Sequence, residues 1–447
     1  MGSLKVENNR PSRPWFWLTF ALAVLVRLGV WASYPLTLNN DSPTYLQLGK
    51  NLLTKGFLTY NATRSPGYPA FLALTGDQTY LAQLALGLLT TLLFYYLGFR
   101  LTQDPRWGAL AGLLHTLNLG QLFFEATLLT ETLTTFLVTA ALAGAMALFT
   151  EKASFWRLVV CALLAGLAAA LAGLTRPLFA FLPVFLCAFC FLLFQIPLRQ
   201  RLFFSIAAIL PALILFGGWL NYVNTNFKIL SFDTIGGFRW LNHTGEFFEL
   251  VPETDAVIRD TYLKYRAAKI AATGTQTNAV WDAMNELQKN SKMGFYALSR
   301  ELTRISIDLI RAHPDLYLKN VLSGWWMFWW AAVYWTPDGL TVPGLVPVLR
   351  VLIFAERLLL IAANLTFLAV SLAVTLWKKA RQALGMNPFL WLALTSIWAA
   401  SVAQTLLDHG DNPRYLVPLQ TLVLILVLGW SLSMSFRARA RNLSPKG

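Results

Sequence analysis

Long apolar runs recur along this chain, each close to the roughly 20 residues that a helix needs to cross a bilayer's hydrocarbon core. They fall near residues 15–35, 79–100, 106–124, 127–149, 156–175, 177–196, 202–221, 358–377, 388–407 and 414–436. In lipid every backbone N–H and C=O must be satisfied internally, so apolar runs of this length read as helices. Composition agrees. The 447 residues are 56% hydrophobic and 13% charged, too few charges to coat a chain of this size in water. A soluble domain carries about 25%. The expected fold class is an all-α polytopic membrane protein with about 10 (10–12) transmembrane helices. The 17 Trp and 14 Tyr suit the membrane–water interface, where an apolar ring meets a wet edge.

The net charge of +14 would suit nucleic acid or an acidic membrane, and its distribution decides between them. The short segments assigned to the cytoplasm carry Lys5, Arg10, Arg13, Arg100, Arg106, Lys152, Arg157, Arg199, Arg201, Lys378, Lys379, Arg381, Arg437, Arg439 and Arg441. Only Glu7, Asp104 and Glu151 oppose them. That asymmetry is the positive-inside rule, which excludes a nucleic-acid footprint and puts both termini inside. The first run follows Arg10 and Arg13 and lacks a small-residue cleavage site, so it reads as a retained span. Cys161, Cys187 and Cys190 all lie in apolar runs and imply no disulfide framework.

The chain divides into an N-terminal transmembrane module (1–221), an outer and mostly helical segment (222–347), and C-terminal transmembrane helices (348–447). From Lys228 to Asp315 the outer segment carries 11 basic and 11 acidic residues, and its stretches Asp255–Ala272 and Ala279–His313 read as helical. The Trp-rich run Trp325–Trp335 is short for a span and is expected to lie at the outer interface.

Between the first two spans, Asn39-Asn40-Asp41-Ser42-Pro43 opens a loop that closes on Arg64-Ser65-Pro66-Gly67-Tyr68-Pro69. Ser42 as N-cap, Pro43 at the first helical position and Gly56 beyond the end bracket a short amphipathic helix with Tyr45, Leu48, Leu52 and Leu53 on one stripe. Asp41 is either a charge placed favourably at a helix N-terminus or a carboxylate poised to take a proton. Arg27 is an ionisable group inside the first span.

This order resembles the GT-C membrane glycosyltransferases: an Asp after the first span, a Tyr four residues on, a helix ending in Gly, then Arg-x-Pro-Gly-Tyr-Pro. The resemblance is nearest to the bacterial branch of aminoarabinose lipid A transferases and protein O-mannosyltransferases. It covers about residues 15–200, fades through the outer segment, and returns at Arg414-Tyr415 with Pro418. It implies an inverting glycosyltransferase that moves a sugar from a polyprenyl-phosphate donor to a hydroxyl or phosphate on the outer face of the plasma membrane. The acceptor would be lipid, protein or polysaccharide.

The resemblance makes Asp41 the catalytic carboxylate and Glu131, in Leu128-Leu129-Thr130-Glu131-Thr132, the second acid, which positions the acceptor or an ion. Glu125 is the alternative. A Glu within an apolar stretch otherwise reaches the interface by snorkelling. Arg176, before Pro177, matches the family's basic residue and would hold a lipid-linked phosphate, since guanidinium is always charged and forks onto phosphate oxygens. Tyr45, Arg64, Tyr68, Arg414 and Tyr415 complete the substrate-binding set. A divalent cation is left open, with Asp41, Glu131 and His409 as its candidate ligands, although a lone loop His is more often a surface residue. Arg350, Glu356 and Arg357 read as anchors of the following span. The rival is a transporter or flippase of a lipid-linked glycan, which would set its charges near the midplane of several spans. No Walker A sequence, dinucleotide fingerprint, zincin His pair or nucleophile elbow occurs.

Overall fold

The computed structural model describes residues 13–150, 153–331, 333–407 and 412–443. Among them the secondary structure is helical, with one isolated bridge between Thr37 and Thr127. The first half runs α1 (Arg13–Ser33), α2 (Ser42–Lys55), α3 (Gly67–Thr75), α4 (Thr79–Thr102), α5 (Pro105–Thr116), α6 (Leu119–Glu125), α7 (Glu131–Thr150), α8 (Phe155–Thr175), α9 (Leu182–Phe191) and α10 (Leu198–Phe227).

Among the described residues, eight helices are long and apolar enough to cross a membrane. They account for eight of the ten expected spans, and the chain is a multi-pass membrane protein. The other two expected spans do not form single long helices. Residues 106–124 break at Leu117 and Asn118, because the Asn118 side chain accepts from the Gln121 N–H and starts a new helix. Residues 177–196 begin with a 3₁₀ turn at Pro177–Phe179, leaving only the ten-residue α9.

Without a hydrophobic force between helices in lipid, close backbone approach holds a bundle together. Gly166 of α8 meets α10 so closely that a Cβ there would sit 2.1 Å from the Ala208 carbonyl oxygen. Ala165, Ala169 and Ala172 continue that small-residue surface into the main core.

The second half holds α11 (Gly236–Thr244), α12 (Ala256–Thr273), α13 (Ala279–Ser291), α14 (Phe295–Ala312), α15 (Pro314–Phe328), α16 (Val346–Leu376), α17 (Lys378–Ala383), α18 (Pro388–Leu407) and α19 (Val417–Leu443). Helices α11–α14 share a separate apolar cluster around Phe238, Leu241, Phe248, Tyr262 and Leu302. The expected helix at 279–313 is two, broken at Lys292, whose φ is +54°. Over Trp325–Trp335, α15 ends at Phe328; Phe328 and Trp329 are buried in the main core, while Trp326 and Trp330 of the same run are exposed. Trp329 stacks on Phe367 at 5.7 Å, and Trp325 stacks on Trp398 at 5.8 Å.

Candidate active site

Two irregular segments are zipped together at one end of the bundle. Thr37 N–H donates to Ala126 O at 2.8 Å and Leu128 N–H donates to Thr37 O at 3.0 Å. The Thr37 and Thr127 hydroxyls meet at 2.9 Å. Ser42 Oγ donates to Leu128 O at 2.8 Å. This pairing sets Asp41, before α2, beside Glu131, the first residue of α7.

Asp41, rather than the expected Ser42, occupies the N-cap position of α2, yet its side chain makes no capping bond. Capping contributes about 0.5–2 kcal/mol, so something stronger holds the carboxylate elsewhere. Arg64 Nη2 donates to Asp41 Oδ1 at 2.9 Å, and Arg414 Nη2 reaches Oδ2 at 3.5 Å. Burial pushes the Asp41 carboxyl up, but the Arg64 and Arg414 guanidiniums outweigh it and hold the group below its ordinary value. Asp41 is therefore ionised at neutral pH.

Glu131 is fully buried. Its Oε1 accepts from Arg414 Nε and lies 3.2 Å from Arg176 Nη1. Arg176 ends α8 in an extended conformation (φ −143°, ψ 104°), because Pro177 cannot continue the helix. Its guanidinium lies over the Tyr415 ring, 4.2 Å from the centroid. Arg414 and Tyr415 stand in the 3₁₀ turn before α19.

The Arg64 loop is braced by its neighbours. Tyr60 Oη donates to Arg64 O at 2.9 Å, and Thr234 N–H, from the stretch between α10 and α11, donates to Ala62 O at 2.8 Å. Arg64 also lies 5.7 Å from the Tyr45 ring centroid. Tyr45 meets Tyr68 edge-on at 5.1 Å. Tyr68 Oη donates to Gln83 Oε1 at 2.8 Å, and the Gln83 amide donates to the Glu125 and Thr127 carbonyls at 2.9 Å each. Gln83 was not singled out from sequence, though a glutamine inside an apolar run is itself a signal.

Asp41, Tyr45, Arg64, Tyr68, Glu131, Arg176, Arg414 and Tyr415 thus form one contiguous set. His409 lies outside the described residues. Glu125 belongs elsewhere: Arg27 Nε and Nη2 donate to its two oxygens at 2.8 and 2.7 Å, making a buried bidentate pair. Glu356 accepts from the Leu119 N–H at 3.0 Å, so it caps α6 rather than simply anchoring its own helix.

Arg414 lies between Asp41 and Glu131 and bonds to both, so a divalent ion bridging the two carboxylates would have to displace it. No group of three or more His, Cys, Asp or Glu gathers among the described residues. Asp408, His409 and Asp411 lie outside the described residues. Among the described residues of the cluster, two carboxylates face three guanidiniums, an excess of one positive charge that an anionic ligand could neutralise.

No protein-family model matches the chain, and no curated protein matches it in sequence. Among solved structures it is similar to archaeal oligosaccharyltransferase AglB from Archaeoglobus fulgidus, in complex with an inhibitory peptide and a dolichol-phosphate, at a TM-score of 0.50 and 13% identity. That match covers 97% of this chain and 52% of AglB, so the chain spans about half AglB's length. ArnT from Cupriavidus metallidurans is similar more loosely. Bound to undecaprenyl phosphate it gives a TM-score of 0.41 at 16% identity, over 97% of this chain and 82% of ArnT. In the apo state it gives 0.40 at 15%, over 98% and 82%. What the chain shares with AglB is its fold.

Proposed function

We propose that this protein is a membrane glycosyltransferase that moves a sugar from a polyprenyl-phosphate donor to an acceptor hydroxyl or phosphate, with inversion. One observation carries the reading: an ionised carboxylate and three guanidiniums, drawn from segments nearly 400 residues apart, converge at one end of a helical bundle. A polyprenyl phosphodiester carries a single negative charge, which matches the one left unbalanced in the cluster. The lipid tail would lie along the bundle. AglB, whose fold the chain shares, holds a dolichol-phosphate, a ligand of this class.

In the reaction the acceptor oxygen attacks the anomeric carbon from the face opposite the phosphate. The new C–O bond forms as the bond from that carbon to the phosphate oxygen breaks. The phosphate leaves with the electron pair, and Asp41 takes the proton of a hydroxyl acceptor. Arg64, Arg176 and Arg414 stabilise the charge growing on the leaving phosphate. Glu131 is a positioning residue, because it touches Arg176 and Arg414 rather than open space. Arg414 makes the longer of the two bonds to Asp41, so it is the guanidinium a phosphate would draw away, and its departure would strengthen Asp41 as a base. The site opens on the non-cytoplasmic face in this reading, since it lies at the bundle end opposite the basic turns Arg100–Arg106 and Lys378–Arg381. Residues 222–347 would contribute to acceptor choice.

The test is turnover by purified protein in nanodiscs, supplied with short-chain polyprenyl-phosphate sugars and envelope extract, read as released polyprenyl phosphate. Asp41→Asn should lower it by about 10²–10⁴-fold. Near-normal release by a folded Asp41→Asn protein would remove Asp41 as the base.

A further inference from the structure

A cavity of about 240 Å³ lies at the other end of the bundle, and the proposed reaction makes no use of it. Its wall comes from four places: Gly98 and Leu101 of α4, Trp107 and Leu110 of α5, Leu384 and Asn387 before α18, and Leu426 and Trp430 of α19. Gln83, which bonds to Tyr68 of the active site, and Gly98 are 15 residues apart on α4, so the cavity sits about 20 Å further along at 1.5 Å per residue. It shares no residue with the Asp41 cluster.

Three observations bear on its occupant. Its lining is mainly apolar, and Leu110 is 38% exposed on the bundle surface, so whatever enters comes from the bilayer. Trp430 is 2% exposed, and its indole N–H has no hydrogen-bond partner among the described residues. A buried donor left unmatched by protein is available to a ligand oxygen. Finally, two cations stand next to lining segments. Arg106 directly precedes Trp107, and Arg381 is held by its carbonyl to Met386 N–H, within the turn that supplies Leu384 and Asn387. Arg106, Lys378, Lys379 and Arg381 are exposed and form no ion pair among the described residues.

We propose that this cavity is a binding site for an anionic phospholipid, with one acyl chain inside and its phosphate on Arg106 and Arg381. A basic pocket between transmembrane helices at the membrane surface fits an acidic headgroup. The zwitterionic lipids, which share the chain but lack the net charge, fit less well.

Native mass spectrometry of the full chain in detergent, with phosphatidylglycerol or phosphatidylcholine added, tests the site without any turnover. The wild type should retain phosphatidylglycerol preferentially. Arg106→Gln/Arg381→Gln should weaken that retention about 30-fold, from about 1 kcal/mol per cation near the surface. Leu110→Trp, at the exposed rim, should block the mouth and reduce retention without repacking the core. Equal retention of the two lipids by the wild type would overturn the proposal. So would wild-type phosphatidylglycerol retention in both variants.

Discussion

Glu131→Gln isolates the role of the buried acid. The amide preserves shape but removes the negative charge that Arg176 and Arg414 share within a fully buried position. Removing one partner of a buried pair costs about 3–5 kcal/mol, mostly because a charge is left unmatched. Asp41 still reaches Arg414 at 3.5 Å, so the lower end, about 3 kcal/mol, is expected. Each kcal/mol is about 2–4 °C in a domain of 150–250 residues and less in a longer chain, so melting should fall by several degrees.

The assay is thermal unfolding in detergent, with and without polyprenyl phosphate. The ligand's anion replaces what Glu131 supplied, so it should raise the melting temperature of Glu131→Gln more than that of the wild type. Turnover should fall about 10²–10³-fold, the loss typical when an oxyanion donor is misplaced. A variant that melts with the wild type, gains no extra ligand stabilisation and turns over normally would refute the account of Glu131 as the anchor of two guanidiniums.

Other outcomes follow from the same geometry. Asp41 is depressed in the folded protein, so its ionised form is complete at neutral pH and is lost only as pH falls through that lowered value, below about 3.9. The rate should stay flat from pH 7 to 5, and Arg64→Gln, which removes one of two cations opposing burial, should move the acid limb upward; a wild-type limb above pH 5 would contradict this. Arg27→Met should cost about 3–5 kcal/mol in thermal unfolding, while Arg27→Met/Glu125→Met should recover most of it. Gly67→Ala should lower turnover, because its Cβ would sit 2.6 Å from Thr175 Oγ1 and 2.7 Å from Thr175 N, pushing on the residue beside Arg176. Unchanged kinetics in a folded Gly67→Ala protein would show that α3 and α8 yield there without moving the guanidinium.

The charged cluster was legible because its residues break local rules. Arg176 stands before a proline between two apolar runs, and Glu131 sits where a carboxylate is costly, so each needs a partner that its own helix does not supply. Partner identity was another matter. Arg27 and Glu125 are 98 positions apart, and nothing in either neighbourhood distinguishes a pair from two separate groups. Choosing Glu131 over Glu125 rested on resemblance, and the geometry explains the division: one acid meets the cluster, the other locks α1 to the end of α6. Breaks inside apolar runs were also hidden, since hydropathy averages over the Asn118 cap and the Pro177 turn. The burial of individual tryptophans in Trp325–Trp335 was hidden for a related reason. Trp329 and Trp325 stack on Phe367 and Trp398, which lie in later helices.

Asp41 shows how far a local signal can be read. Its place before Pro43 suits a capping residue, and a cap is the more common use of an Asp there. In the fold it surrenders that bond and faces two guanidiniums, one 23 and the other 373 residues away. The α2 N-terminus gains nothing from the side chain's hydrogen bonding, while burial works against its charge. A helix that needed only a cap would be served as well by Asn, which carries no charge to desolvate. Asn at this position would keep the shape and relieve the burial penalty but leave Arg64 and Arg414 short of an anion. The Asp41→Asn measurement therefore separates the two roles: a carboxylate retained for capping leaves turnover intact, and one retained for its charge does not.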